Sequence, residues 1–223
     1  MLLRLVPALL VLASASSQAT TYTFEANHTQ GVMRWSHLGF SNPSATFSRV
    51  EGTLTYDAAN PRAATVTATI PMANLSTGVP DLDDDFHSHV FFDLAHFPTA
   101  TFKSTKVEPG AAGHLEVTGD LTIRDKTLPV TLHAKLNAIG VNPRNNLPTI
   151  GFAATAELKR SDFGLGRFVP QVSDQIDIEI TAQGAEAKGY AELLRKQAEE
   201  EARDTQGTAA KAATQSATPP AKN

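Results

Sequence analysis

Histidines and a run of aspartates are the residues of this chain whose types and spacing could do chemistry. His87-x-His89, with His96 beyond, is the cluster that resembles a metal site, and it opens the reading of a metal-dependent hydrolase. Histidines two apart share a face on a strand but not on a helix, and the stretch around them has helical spacing, so surface or head-group roles fit them better. Asp81-x-Asp83-x-Asp85 starts like a calcium loop. Such a loop needs Gly at its sixth place and Glu at its twelfth, where this chain has Phe86 and Phe92. Carboxylates at the start of a helix complement its dipole instead. There is no GxSxG elbow, no phosphate-cradling Gly loop and no cysteine to act as a nucleophile. No catalytic residue, resident metal or cofactor is expected, and the chain reads as a binder rather than an enzyme.

The aromatic residues carry more. Phenylalanine occurs 11 times against one Trp and three Tyr, which concentrates the large apolar side chains in one residue type. Phe40, Phe47, Phe86, Phe91, Phe92, Phe97, Phe102 and Phe163 fall at strand ends or near the helical stretch. Large apolar residues are usually buried, so these pack a core or cover a long apolar ligand, and composition does not separate the two.

The elements that must position them have a period of two. Val66, Ala68, Ile70 and Met72 alternate with threonines; Leu115, Val117, Leu121 and Ile123 keep one parity around Gly119. Val130 to Leu136, Ile150 to Leu158 and Ile176 to Ile180 repeat the pattern, which marks half-buried antiparallel strands. Segments at 22–25, 31–40 and 47–56 read alike, with a bulge expected where the parity breaks between Phe47 and Val50. Asn60-Pro61, Pro109-Gly110, Asn142-Pro143 and Phe163-Gly164-Leu165-Gly166 supply turns. The expectation is an all-β fold of about eight strands, with one helix over Asp81–Phe92 where Leu82, Phe86 and Val90 share a face. A barrel of that size is just wide enough for one slim ligand, whereas a sandwich fills itself. Period alone does not choose between them.

The ends differ from this middle. Residues 1–19 hold one basic residue, an apolar run from Leu5 to Ala13 and small residues ending in Ser17-Gln18-Ala19, the pattern of a cleaved signal peptide. The run is too short to span a bilayer. Export to a periplasm or outside the cell is therefore expected, with no stable membrane insertion of the mature chain. Formal charge is −4 without a basic stripe, which argues against nucleic acid. The tail, 185–223, is Ala-, Glu- and Lys-rich to Arg203, with Glu192/Lys196 and Glu199/Arg203 at helical spacing. From Asp204 its composition predicts disorder. The domain lies between, at 20–184.

Along residues 22–184 the chain resembles the YceI-like family of lipid-binding proteins. The resemblance rests on His28-Thr29, His37-Leu38-Gly39-Phe40-Ser41, Phe47 with Glu51-Gly52-Thr53-Leu54, and Phe91-Phe92-Asp93 leading into Phe97-Pro98-Thr99-Ala100-Thr101-Phe102-Lys103-Ser104. Gly119-Asp120-Leu121-Thr122-Ile123, Pro129-Val130-Thr131-Leu132 and Arg160-Ser161-Asp162-Phe163-Gly164-Leu165-Gly166 continue it in order and spacing. It implies an extended, lipocalin-like antiparallel barrel whose lumen takes a polyisoprenoid, an isoprenoid quinone or a fatty-acyl lipid. The implied lining is Met33, Trp35, Phe40, Phe47, Leu54, Phe86, Phe91, Phe102 and Phe163, with His28, His37, His87 and Asp162 as polar groups at the mouth. Members often carry Arg in the helix before Phe91; Leu82–Val90 here has none, which favours a neutral or quinone-like head group or one met by other residues. A homodimer is compatible with the resemblance. The competing class, besides the hydrolase, is a stress-related interaction module with a filled core.

Overall fold

The computed structural model describes residues 18–216. The expected signal segment therefore lies almost wholly outside the described residues. Eleven strands form one antiparallel sheet: β1 (Thr20–Phe24), β2 (Gln30–Arg34), β3 (Ser44–Ser48), β4 (Glu51–Tyr56), β5 (Thr65–Pro71), β6 (Leu75–Ser76), β7 (Thr99–Pro109), β8 (His114–Ile123), β9 (Lys126–Val141), β10 (Pro148–Lys159) and β11 (Gln175–Glu186). Among the described residues two α-helices accompany them, α1 (Pro80–His87) and α2 (Ala187–Ser216).

The sheet closes on itself. The order β1-β4-β5-β7-β8-β9-β10-β11 returns to β1 through Tyr22↔Glu186 and Phe24↔Gly184, a ring of eight. The other three strands prolong walls of that ring. β2 resumes pairing with β11 at Asp177–Thr181, β3 pairs with β2, and β6 with β3. So three walls are each broken once, at residues 25–29, 49–50 and 72–74. The parity break expected as a bulge near Phe47 is one of these: Arg49 has φ +56 and Val50 donates to the Thr29 carbonyl at 3.3 Å. Register shifts at Ser104/Lys106 and Gly151/Phe152 add the local coiling that closure needs.

The period of two now has its meaning. Val66, Ala68, Ile70, Val117, Leu121, Val130, Leu132, Phe152, Ala154, Leu158, Ile178 and Ile180 all point into the barrel, while the threonines between them form cross-strand hydroxyl pairs outside, such as Thr53–Thr67 at 3.1 Å. Close strand approach depends on Gly52 (φ +150), opposite Ala68: a Cβ there would stand 2.1 Å from the Thr67 carbonyl oxygen. Gly52→Ala is expected to destabilise the fold by about 2–4 kcal/mol in denaturant titration, since backbone rather than a side chain blocks it.

Two expectations are corrected. The strand expected to Phe40 ends at Arg34, because Leu38 (φ +57) and Gly39 (φ +74) fold residues 37–41 into a tight turn. The helix expected over Asp81–Phe92 stops at His87: Ser88 leaves helical geometry, and the Phe92 and Asp93 amides turn back to the Phe86 and Ser88 carbonyls. The helix expected in the tail forms and runs to Ser216, past Asp204. Ala209, Ala210, Ala212 and Ala213 follow there, and alanine is the best helix former. Glu186 caps this helix by accepting from the Lys188 and Gly189 amides at 3.2 and 2.7 Å. The expected Glu192–Lys196 pair forms at 2.8 Å.

Candidate functional site

The inward residues leave space. A narrow chamber of about 160 Å³ occupies the barrel between Phe24 and Leu158. Its walls are apolar apart from Thr29, and that hydroxyl is spent, donating to the Gln183 carbonyl at 3.1 Å and accepting from its amide at 3.3 Å. A void with no free polar partner does not hold water. Phe102 lies across one wall, and Gly119 makes room for it: a Cβ there would stand 2.4 Å from the ring. Beyond the narrow chamber lies a wider one of about 370 Å³, and Leu158 and Ile178 border both. Cavities for ligands span about 300–1,000 Å³, a range that the two chambers in series reach.

The wide chamber exists because a wall is missing. β6 pairs with β3, and no described strand flanks its other edge. α1 fills that gap and is fastened there. Asp83 accepts from Ser76 Oγ at 2.7 Å and from Thr77 Oγ1 at 2.6 Å, and His87 Nε2 lies 3.0 Å from the Leu75 carbonyl. Hydrogen bonds from Thr77, side chain and then backbone, hold the Asp83 carboxyl below its ordinary range. Held so, α1 turns Leu82, Asp85 and Phe86 into the chamber. Phe86 packs against Trp35, Phe91 and Phe92 with ring centroids 5.5, 5.6 and 5.8 Å away.

The segment after β10 also borders this chamber. Arg160, 9% exposed, holds that segment by four backbone carbonyls. Its Nε donates to Ser173 at 2.9 Å, Nη1 to Arg167 at 2.8 Å and to Leu165, and Nη2 to Val172 at 3.0 Å. Burial pulls this guanidinium down from its usual value, against the Asp174 charge. An Arg is still a cation at any working pH. Asp174 in turn accepts from Ser161 Oγ at 2.7 Å and from its amide at 2.8 Å. Polar groups gather at this end alone: His37, Asp85, Arg160 and Arg167 border the wide chamber. The cavity is thus apolar at one end and polar at the other, a shape for an elongated molecule with one polar end.

Met33, Trp35, Phe86, Phe91 and Phe163 border the wide chamber, and Phe47, Leu54 and Phe102 the narrow one. Phe40 does not: it is 92% exposed, at the tip of the turn closed by the His37 and Ser41 bridge. Of the polar candidates, His37 borders the chamber. His28 lies outside, its side chain 60% exposed and 3.0 Å from Glu25. His87 is engaged with β6, and Asp162 sits on an outer groove beside β9, its carbonyl accepting from Lys126 at 3.1 Å. The three histidines of the hydrolase reading do not converge either, since His96 pairs with Asp93 at 2.9 Å. Among the described residues no group of three His, Asp or Glu is placed to share a metal. Asp85, Arg160 and Arg167 were missed: Asp85 reads as a carboxylate at the start of a helix, and the turn-rich segment of the two arginines gives no periodic signal to say which way a side chain points.

Comparison with known proteins agrees with this architecture. The sequence profile of the YceI-like domain matches residues 22–184. Protein YceI of Escherichia coli O157:H7 is 35% identical over 189 residues, covering 84% of this chain and 98% of that one. The crystal structure of Burkholderia cenocepacia BcnA superposes with a TM-score of 0.62 at 24% identity, over 69% of this chain and 95% of its own. A polyisoprenoid binding domain from Saccharophagus degradans, implicated in plant cell wall breakdown, superposes with a TM-score of 0.57 over 75% of this chain and 99% of its own; at 12% identity it shows the shared fold alone.

Proposed function

This chain belongs to the YceI-like family, and from that premise we propose that it is an exported carrier of one long apolar molecule, without catalytic activity. The observation that carries the proposal is the contrast in polarity between an apolar narrow chamber and the wider one that shares Leu158 and Ile178 with it and carries His37, Asp85 and Arg167. The hydrocarbon chain lies along the barrel with its tail in the narrow chamber. A small oxygen-bearing head, such as a quinone or a prenyl alcohol, meets His37, Asp85 and Arg167.

Binding is partition. Each buried methylene is worth about 0.8 kcal/mol, so a five-carbon isoprene unit contributes roughly 3–4 kcal/mol gross. Ordering a flexible chain offsets much of this. The 12 residues of β10 give a wall of roughly 40 Å, or about 30 Å along the axis at the usual strand tilt. That is about the thickness of a bilayer's hydrocarbon core.

Protein purified from bacteria is expected to carry a discrete added mass in native mass spectrometry, released by organic extraction. Delipidated protein should bind a polyprenol or quinone with a shift in the emission of Trp35, which borders the wide chamber. Folded, delipidated protein that gains no mass from any chain-like lipid would overturn the proposal.

A further inference from the structure

The turn that carries Phe40 is clamped to a second one. His37 bridges to both Ser41 and Val172, and the Leu38 amide donates to the Gln171 carbonyl at 2.9 Å. Together they form one lip of the wide chamber, which His37, Arg167 and Phe168 border. This lip is apolar on its outer side. Leu38 is 51% exposed, Phe40 92%, Phe168 55% and Val169 36%. The remaining large apolar residues with such exposure among the described residues are Val79, Leu194 and the pair Ile139 and Val141 on β9. Exposed patches of this kind mark interaction sites. Leu38 and Phe168 also hold φ of +57 and +67, a conformation that suits Gly or Asn and costs a bulky side chain. Neither burial nor backbone preference accounts for these residue types.

We propose that this lip docks the protein on a phospholipid bilayer, with Phe40, Leu38 and Phe168 entering the interface. Charge complementarity favours that occupant. Residues 37–42 and 167–172 contain no carboxylate; their one permanent charge is Arg167, exposed, with its Cζ 4.8 Å above the Phe168 ring. A guanidinium beside an inserted ring is placed to meet lipid phosphate. The carboxylate that borders the chamber, Asp85, comes from α1 and not from the lip. The attachment is peripheral: no described helix is long and apolar enough to cross a membrane, and apolar residues of such a surface reach only about 5–10 Å into the headgroup boundary. Docked in this way, the mouth faces lipid, and an apolar chain passes between bilayer and barrel without crossing water. That purpose rests on the carrier reading; the docking itself does not.

The test floats full-length protein with phosphatidylcholine vesicles, with and without phosphatidylglycerol. Phe40→Ser is compared with the pair Leu38→Asn and Phe168→Asn, which preserve the turns because Asn accepts positive φ, and with Ile139→Thr plus Val141→Thr as a control away from the lip. Vesicle affinity is expected to fall about tenfold or more in both lip variants and to stay unchanged in the control, with all melting cooperatively. Arg167→Gln should lose most on the anionic vesicles. Because residues 1–19 are common to all, a site-specific readout accompanies flotation: the introduced indole in Phe40→Trp should be quenched by lipids brominated on their acyl chains, above the baseline of Trp35 in the parent. Equal flotation of lip variants and parent, an unquenched indole, or lip variants that only turn a dimer into a monomer would each overturn the proposal. Lip-dependent binding by a protein whose lumen takes no lipid leaves the docking intact and overturns the carrier reading instead.

Discussion

Arg160→Met is expected to lower the stability of this protein by about 3–5 kcal/mol. The native guanidinium satisfies four backbone carbonyls, of Leu165, Arg167, Val172 and Ser173, from a position that is 9% exposed. Methionine matches the length of the stem and supplies no donor. Each carbonyl left without a partner costs roughly 1–3 kcal/mol, reduced where water can enter from the mouth. The effect belongs to one side of the wide chamber, so hydrogen exchange should accelerate across residues 161–174 while β7 to β10 stay protected. Arg160→Lys should recover only a minor part, since an ammonium cannot span a fork of four acceptors. A destabilisation below about 1 kcal/mol in denaturant titration would show that the segment holds itself.

Acid should loosen the same segment. Burial pushes the Asp174 carboxyl up, but hydrogen bonds from the Ser161 side chain and amide and the charges of Arg160 and Lys159 outweigh it, and the net shift is downward. A carboxyl lowered on folding contributes stability that is present above the unfolded value of about 3.9 and is lost as pH falls through the folded value. Wild type should therefore weaken below about pH 4 more than Asp174→Asn does.

Much of the fold was legible because a barrel wall is regular. A side chain on an unbroken strand points in or out by parity alone, so the alternation from Val66 to Ile70 and from Ile150 to Leu158 already named residues of the narrow chamber. Barrel and sandwich share that parity. What separates them is the pairing of β1 with β11, a contact between chain ends that no local pattern encodes. Where the walls break, parity fails. Phe40 stands past the end of β2, in a turn made by two residues with positive φ, and so left the lumen for the surface. Asp162 and His87 were misplaced for the same reason, one following β10 and the other closing a helix held to β6. More than half of the wide chamber's lining comes from such interruptions: α1, the turns after it and the segment held by Arg160. The site's polar end was therefore the part least open to reading, and its apolar tail the part most open.

Ala154→Phe should empty the barrel of its ligand without unfolding it. Ala154 lies on β10 between Ala134 and Ile180 of the neighbouring strands, and all three side chains border the narrow chamber of about 160 Å³. A ring placed there occupies space that is vacant in the protein, so the usual 1–3 kcal/mol cost of overpacking is offset by new contacts. The melting temperature should stay within a few degrees of wild type, or rise. Retention of the copurified molecule should fall tenfold or more, because displacing even two or three methylenes at about 0.8 kcal/mol each forfeits that much affinity. Phe40→Asp provides the contrast. Its side chain is 92% exposed and outside both chambers, so its retained mass should match wild type even where its vesicle binding does not. The measurement is native mass spectrometry of the three proteins purified side by side. Equal retained mass in Ala154→Phe and wild type would confine the ligand to the wide chamber; loss of mass in Phe40→Asp would mean that the turn reaches over the mouth when a ligand is bound. Retention lost only in Ala154→Phe places the apolar tail beyond Leu158 and Ile178, inside the ring of eight strands.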